Sequence, residues 1–161
     1  MTEVVIRYVT MSGLENRLHV AQDDTRLNLQ LRDIREIDLW PLVRCPRLKS
    51  LWLQYNSLRS LNLEPLASCT ELEQINLSHN RLQTIDLRPL ASCPSLRELY
   101  LDHNELRKID VSPLFECTDL QVFKWDDHVA LTADIFLRSV GSWPEVLIQQ
   151  YHRILWTYGK R

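Results

Sequence analysis

Cysteine, histidine and aspartate are the residues of this chain whose types and spacing could support metal or redox chemistry. Four cysteines, Cys45, Cys69, Cys93 and Cys117, lie 24 residues apart, and none belongs to a CxxC pair or a Cys/His cluster. Stacking of equivalent segments would bring consecutive cysteines near one another, so a disulfide is geometrically conceivable. Parallel side chains rarely satisfy disulfide geometry, however. We therefore predict four reduced, buried thiols, the state typical of the cytosol.

A second group of candidate ligands recurs with the same spacing. Tyr55, His79, His103 and Asp127 occupy equivalent positions, and they are preceded by Gln54, Ser78, Asp102 and Asp126. Two imidazoles with nearby carboxylates can hold zinc, which makes His79, His103 and Asp127 the candidate metal ligands. The alternative is a polar edge in which a repeat reuses the same residue types. We favour the polar edge and predict no metal and no other cofactor.

Other features argue against catalysis and against several classes of partner. The chain has only three glycines, and it lacks a glycine-rich phosphate loop, HExxH, GxSxG and an EF-hand loop. A net charge of −2 argues against a dedicated nucleic-acid-binding protein. No apolar run approaches the ~20 residues of a membrane span, and the first residues lack the features of a signal peptide. We expect a non-enzymatic, monomeric, cytoplasmic protein.

The spacing of the cysteines belongs to a repeat that runs through most of the chain. The pattern LxxLxLxxNxL occurs at residues 48–58, 72–82 (with Ile75 at the second Leu position) and 96–106. Each copy continues into a Pro-Leu pair and then a cysteine. Seven or so constrained positions therefore return in three consecutive units. This pattern resembles the conserved segment of the leucine-rich repeat family, with no subfamily assigned.

Less regular units flank the three clear copies, so the resemblance covers about residues 18–130. Arg32 stands at the Asn position upstream, and His128 stands there downstream. We predict a single domain over residues 1–161. It comprises an N-terminal cap at 1–23, about five repeats at 24–130 and a helical C-terminal cap at 131–161.

The repeat predicts its own local structure. Leu-x-Leu alternation has a period of two, so each unit contributes a short strand with one buried face, and equivalent strands stack in parallel about 4.8 Å apart. Aligned prolines (Pro41, Pro65, Pro89, Pro113) predict a short helix or 3₁₀ turn on the opposite side. The resemblance further implies that Asn56, Asn80 and Asn104 form a hydrogen-bonded ladder. The predicted fold class is an α/β solenoid: a right-handed, curved coil with a concave parallel β-sheet, 3₁₀ or helical convex side and C-terminal helical cap.

Both ends of such a coil need a cover, because the outermost repeats would otherwise expose their core. Residues 3–9 are predicted to add a strand at the N-terminal end. At the other end, Ser142-Trp-Pro-Glu145 fits a capping box. Spacing then places Leu147, Tyr151, Ile154 (or Leu155) and Tyr158 on one face of a helix. We predict that this helix covers the core, with a docking surface around Trp143 and Trp156 as the alternative.

The concave face is the predicted working surface, because its exposed residues vary while the leucines between them do not. Trp52 lies between two core leucines and must point outward, whereas Trp125 occupies a Leu position and should be buried. Trp and Tyr are enriched at interface hot spots, although an aromatic can also simply pack over its neighbours. The predicted partner-binding residues are Trp52, Tyr55, Tyr100, Gln54, Asn76, His79, Glu98, Asp102, His103, Lys124 and Asp126.

The resemblance implies an adaptor, regulator or inhibitor that binds another protein. We predict that the concave face carries this interaction. The alternative is a structural subunit that docks into a larger assembly through its C-terminal helix and convex side. A third, metal-dependent role depends on the His/Asp group described above.

Overall fold

The computed structural model describes residues 2–159, which contain eleven strands, one short α-helix and six 3₁₀ turns. The strands are β1 (Glu3–Thr10), β2 (Glu15–Ala21), β3 (Arg26–Asn28), β4 (Ile34–Asp38), β5 (Ser50–Trp52), β6 (Gln74–Asn76), β7 (Glu98–Tyr100), β8 (Lys108–Asp110), β9 (Val122–Lys124), β10 (Ala130–Asp134) and β11 (Ile154–Thr157). The helix is α1 (Glu145–Ile148), and the 3₁₀ turns are Trp40–Arg44, Glu64–Ser68, Arg88–Ser92, Ser112–Glu116, Ile135–Ser139 and Tyr151–Arg153.

Five strands form the central parallel sheet, in the order β3-β5-β6-β7-β9. Each strand pairs with the next at a spacing of 24 residues, so Leu27, Leu51, Ile75 and Leu99 stand in one row and Phe123 completes it. These five side chains are buried. The predicted solenoid with a parallel sheet is therefore confirmed.

The asparagine ladder predicted from the resemblance connects the repeats behind this sheet. The Nδ2 group of Asn80 donates to the carbonyl oxygens of Leu53 (2.9 Å) and Leu77 (3.1 Å), and its Oδ1 accepts from the Leu58 amide at 3.0 Å. Asn56 and Asn104 repeat these contacts one unit away on either side. An amide can both donate and accept, which is why this bend in the chain uses Asn.

On the convex side, four of the 3₁₀ turns carry the aligned prolines near their first residue. An Asp or Asn two residues before each turn accepts a hydrogen bond from the first amide of the turn. The pairs are Asp38 with Trp40, Asn62 with Glu64, Asp86 with Arg88 and Asp110 with Ser112, at 2.9 to 3.0 Å. These side-chain bonds start each turn, while proline restricts its backbone.

The four cysteines are free and buried between the turns and the sheet. The thiols of Cys69, Cys93 and Cys117 each donate to a carbonyl oxygen of the preceding repeat, belonging to Leu42, Leu66 and Leu90. Burial raises the pKa of Cys93 to about 11, and burial together with neighbouring thiols raises the pKa of Cys69 to about 12. The thiols therefore remain neutral at physiological pH.

We expect the folded protein to resist Ellman's reagent at about pH 8, because only a thiolate reacts and each thiol is both buried and protonated. All four cysteines should react once guanidinium unfolds the chain without reductant. Fewer than four reactive thiols after unfolding, or rapid reaction of the folded protein, would contradict this.

The raised pKa values of these thiols also imply that the free energy of unfolding falls as pH rises above about 9, where only the unfolded chain loses these protons.

The predicted N-terminal strand is present as β1, which pairs antiparallel with β2 on one side and β4 on the other. Val4, Ile6 and Val20 from this hairpin join the buried core. The cap therefore consists of two strands rather than one.

The single C-terminal helix predicted from the spacing of Leu147, Tyr151 and Ile154 is wrong. Helix α1 has only four residues, its N-cap is Pro144 without a side-chain hydrogen bond, and Ser142 forms no capping box. The chain then makes a 3₁₀ turn and extends into β11, which pairs in parallel with β10. Strand β10 leaves backbone groups available beyond β8, and pairing with them outweighs the helical spacing of the side chains. Within residues 2–159, no helix is both long enough and apolar enough to cross a membrane.

Candidate protein-binding face

The outward row of the central sheet is formed by Asn28, Trp52, Asn76, Tyr100 and Lys124, which stand opposite one another in register. Trp52 and Tyr100 flank Asn76 and are half-buried. A depression of about 270 Å³ lies at this place, lined by Gln30, Trp52, Gln54, Gln74, Asn76, Glu98 and Tyr100. The structure thus gathers the predicted residues Trp52, Gln54, Asn76, Glu98 and Tyr100 around one concavity.

Side-chain amides hold the polar wall of this depression. The Nε2 group of Gln54 donates to Oε1 of Gln30 at 2.6 Å, and the Ser50 hydroxyl donates to Oε1 of Gln74 at 3.3 Å. Oε1 of Gln54 is buried and has no hydrogen-bond partner among the described residues. Gln30 and Gln74 were not among the predicted binding residues, although the two-residue alternation places both on this face.

Tyr100 is positioned by the acidic residue that precedes it on β7. Its hydroxyl donates to Oε2 of Glu98 at 3.1 Å. Burial, this hydrogen bond and the charges of Glu98 and Asp102 together raise the pKa of Tyr100. The phenol therefore stays neutral, and the two carboxylates give this end of the face a negative potential.

A stacked column of rings forms the edge of the concave face. The ring centroids of Tyr55 and His79 are 4.3 Å apart, and those of His79 and His103 are 4.0 Å apart with an interplanar angle of 10°. All three residues have left-handed backbones, with φ of 54 to 57°. Because they are 24 residues apart and share this conformation, their side chains leave the coil in the same direction and stack at successive turns. The predicted adjacency of the two histidines is therefore present.

The same stacking decides what the His/Asp group can do with a metal. His79, Asp102 and His103 bring one ligand atom each to within 4.8 Å of the others. The lone pairs of an imidazole lie in its ring plane, so two nearly parallel rings direct them side by side instead of toward one point. In addition, Nδ1 of His103 lies 2.9 Å from Oδ2 of Asp102. One ring must leave the stack before both histidines can coordinate the same ion.

We expect isothermal titration calorimetry to detect no zinc binding at micromolar metal, because chelation requires breaking the ring stack. A double variant, His79→Ala with His103→Ala, serves as the control for weak binding elsewhere. Micromolar affinity in the unchanged protein that disappears in the double variant would contradict the expectation.

The predicted residues at the C-terminal end of the face have different surroundings. Asp126 is half-buried, and its carboxylate accepts from the backbone amides of His103 (2.8 Å) and Asn104 (3.1 Å). In the preceding repeat, the equivalent amide of His79 donates instead to the backbone carbonyl of Asp102, at 3.1 Å. His128, which stands at the Asn position of this unit, is exposed. Asp127 contacts Arg153, at 3.5 Å, and not the two histidines.

Trp125 was expected in the core but is only half-buried. It stacks on Phe123 with ring centroids 4.8 Å apart, and the Arg153 guanidinium lies over it at 5.2 Å. Strand β9 is the last strand of its sheet, so no further repeat covers the Trp125 ring. The C-terminal segment covers part of it.

Lys124, another predicted binding residue, lies beside Tyr100 and is exposed.

Comparisons with known proteins agree with this architecture. Residues 46–106 match the family described as "Leucine rich repeat". No curated protein sequence matches the chain. The ectodomain of the plant receptor kinase GASSHO1/SCHENGEN3 from Arabidopsis thaliana, solved in complex with CASPARIAN STRIP INTEGRITY FACTOR 2, is similar with a TM-score of 0.56 and 26% identity.

That alignment covers 71% of this chain and 14% of the receptor ectodomain, so the chain spans a small part of that protein's length. The ectodomain of the receptor kinase SOBIR1 from Arabidopsis thaliana aligns over 83% of this chain and 70% of its own, with a TM-score of 0.56 and 22% identity, and supports the fold alone. Proteins with these repeats are generally protein–protein interaction modules. Residues 46–106 thus match the leucine-rich repeat family, and the chain folds as a solenoid similar to those of the two receptor ectodomains.

Proposed function

We propose that this protein is a non-enzymatic interaction module that binds a segment of another protein on its concave face. The observation that carries the proposal is the depression between Trp52 and Tyr100 on the outward face of the central sheet. The two half-buried aromatic side chains stand on strands with one strand between them. Two strand spacings, roughly 9–10 Å, leave room for one inserted side chain. Amides around them can bond to a peptide backbone.

The proposal includes a monomeric protein in the cytoplasm, acting as an adaptor, regulator or inhibitor. Four free, buried cysteines support a reducing compartment. The rim column of Tyr55, His79 and His103 would contact the partner at the edge of the depression.

To test the proposal, immobilised protein is used to capture partners from its native cells, alongside a Trp52→Ala, Tyr100→Ala double variant. Partners bound by the original protein should be lost from the variant, with affinity reduced at least about 30-fold, since hot-spot truncations cost about 2 kcal/mol or more. The melting temperature should stay within about 2 °C, because both side chains lie outside the core. Undiminished capture by the double variant contradicts the concave site.

A second candidate function is docking into an assembly through the C-terminal end. Ile148, Leu155 and Tyr158 are 54%, 59% and 81% exposed there, which is unusual for three large apolar side chains in one short segment. Trp143 and Trp156, the residues first considered for this role, instead pack on Phe115 and on each other. A Leu155→Ala, Tyr158→Ala variant therefore tests this candidate. Loss of partners from it, with retention by the concave variant, favours C-terminal docking.

A further inference from the structure

One end of the concave face carries two carboxylates beside an aromatic ring. Glu98, Tyr100 and Asp102 follow one another at alternate positions of β7 and its extension, so all three side chains lie on the same face. Tyr100 and Glu98 line the depression, and Asp102 is two residues farther along the chain than Tyr100. Two negative charges thus flank one aromatic ring.

Neither carboxylate has a lysine or arginine partner in the described part of the chain. Oδ2 of Asp102 lies 2.9 Å from Nδ1 of His103. The side chains that line the rest of the depression are uncharged: Gln30, Trp52, Gln54, Gln74 and Asn76. Lys124 lies next to Tyr100 in register but is exposed and makes no ion pair with either carboxylate.

Two acceptor atoms on this face also lack donors. Oδ1 of Asp102 and Oε1 of Gln54 are buried without a hydrogen-bond partner in the described part of the chain. A buried acceptor without a donor costs about 1–3 kcal/mol, so such atoms are normally satisfied. A positively charged group that carries several N–H donors would match the two carboxylates at this end of the face.

A contact between a guanidinium and an aromatic ring is already present within the protein, just after strand β9. The Arg153 guanidinium lies over the Trp125 ring at 5.2 Å, and its Nη2 donates to the Asp127 carbonyl at 2.8 Å. Arginine combines a flat cation, which stacks on aromatic faces, with five N–H donors in a fixed arrangement. The depression between Trp52 and Tyr100 offers aromatic faces and acceptors without any resident arginine.

We propose that this depression takes an arginine side chain from the partner's bound segment, with the guanidinium between Trp52 and Tyr100 and hydrogen-bonded to Glu98. This inference rests on the proposed function, because it names the residue that the concave face recognises. Attraction between the guanidinium and the two carboxylates contributes to binding, so the affinity of the partner segment should fall as ionic strength rises.

The experiment selects peptides from a random phage-displayed library on the full chain and on Trp52→Ala, to identify binders that need the concave face. Arginine enrichment among Trp52-dependent binders on the unchanged protein, and its loss on Glu98→Gln, supports the inference. Trp52-dependent binders without arginine overturn the inference and leave the proposed function standing. If no selected peptide depends on Trp52, both the arginine inference and the proposed function are overturned.

A synthetic copy of the best binder then isolates the charge, with the arginine replaced by citrulline, which has the same shape without the positive charge. We expect at least a 10-fold weaker affinity for the citrulline peptide, and an equal loss for the arginine peptide on Glu98→Gln. Glu105→Gln, at an exposed site outside the depression, is the matched control and should change little. Equal affinity for citrulline, or for lysine in place of arginine, overturns the assignment.

Discussion

Replacing Asn80 with Ala is expected to lower the free energy of unfolding by about 3 kcal/mol. The change removes the acceptor for the Leu58 amide and the donor for the Leu53 and Leu77 carbonyls. Asn80 is buried in the middle of the ladder, so water cannot replace these bonds without opening the coil. The Leu58 amide is then left unpaired, which costs about 1–3 kcal/mol. The two carbonyls each lose one hydrogen bond, at about 0.5–1.5 kcal/mol, but still accept from Asn56 and Asn104.

Urea denaturation followed by circular dichroism measures this effect. Asn62→Ala is the control, because Asn62 accepts one hydrogen bond from Glu64 at an exposed turn and should cost about 1 kcal/mol or less. A loss for Asn80→Ala no larger than that of the control would mean that the ladder contributes little to stability. Since neighbouring repeats support one another, the effect should also reach the repeats on both sides.

Leu147→Ala should destabilise the protein by a similar amount, about 3 kcal/mol, within the range for a large aliphatic residue removed from a core. Leu147 is fully buried in α1 and belongs to the same apolar cluster as Leu131 and Ile154. The other residues of α1 are half-buried or exposed, so this side chain provides most of the contact between the helix and the core.

Ile148→Ala is the matched control, because the adjacent side chain is 54% exposed and its truncation should change stability by less than about 0.5 kcal/mol. Thermal and urea unfolding of the two variants provide the comparison. Similar stabilities would indicate that the C-terminal segment does not seal the core, and would strengthen the view that it serves as a docking surface.

Much of the site could be predicted because a solenoid places residue i beside residues i−24 and i+24. The row of Trp52, Asn76 and Tyr100 and the adjacency of His79 with His103 both follow from that rule. What the rule does not contain is side-chain orientation. The parallel ring planes, the bond between Tyr100 and Glu98 and the unpaired oxygen of Asp102 depend on rotamers and local packing.

Prediction failed at the last repeat for a related reason. The amides of His103 and Asn104 donate to the Asp126 carboxylate, whereas the equivalent amide of His79 donates to a backbone carbonyl of the next repeat. Trp125 is only half-buried, since no further repeat lies over it. A periodic pattern carries no information about what happens where the period stops.

By itself, the sequence determined the repeat, its register, the proline turns and the buried cysteines, and its resemblance to a known family added the asparagine ladder. Each is set by contacts with equivalent neighbours one period away. Only the tertiary structure decided how the coil ends. Ile154 and its neighbours have a spacing that suits a helix, yet they form β11 because β10 offers an edge with which they pair. The concave face was also decided in part by the tertiary structure. The repeat spacing predicted which residues lie on it, but the depression between Trp52 and Tyr100 exists only once the strands lie side by side.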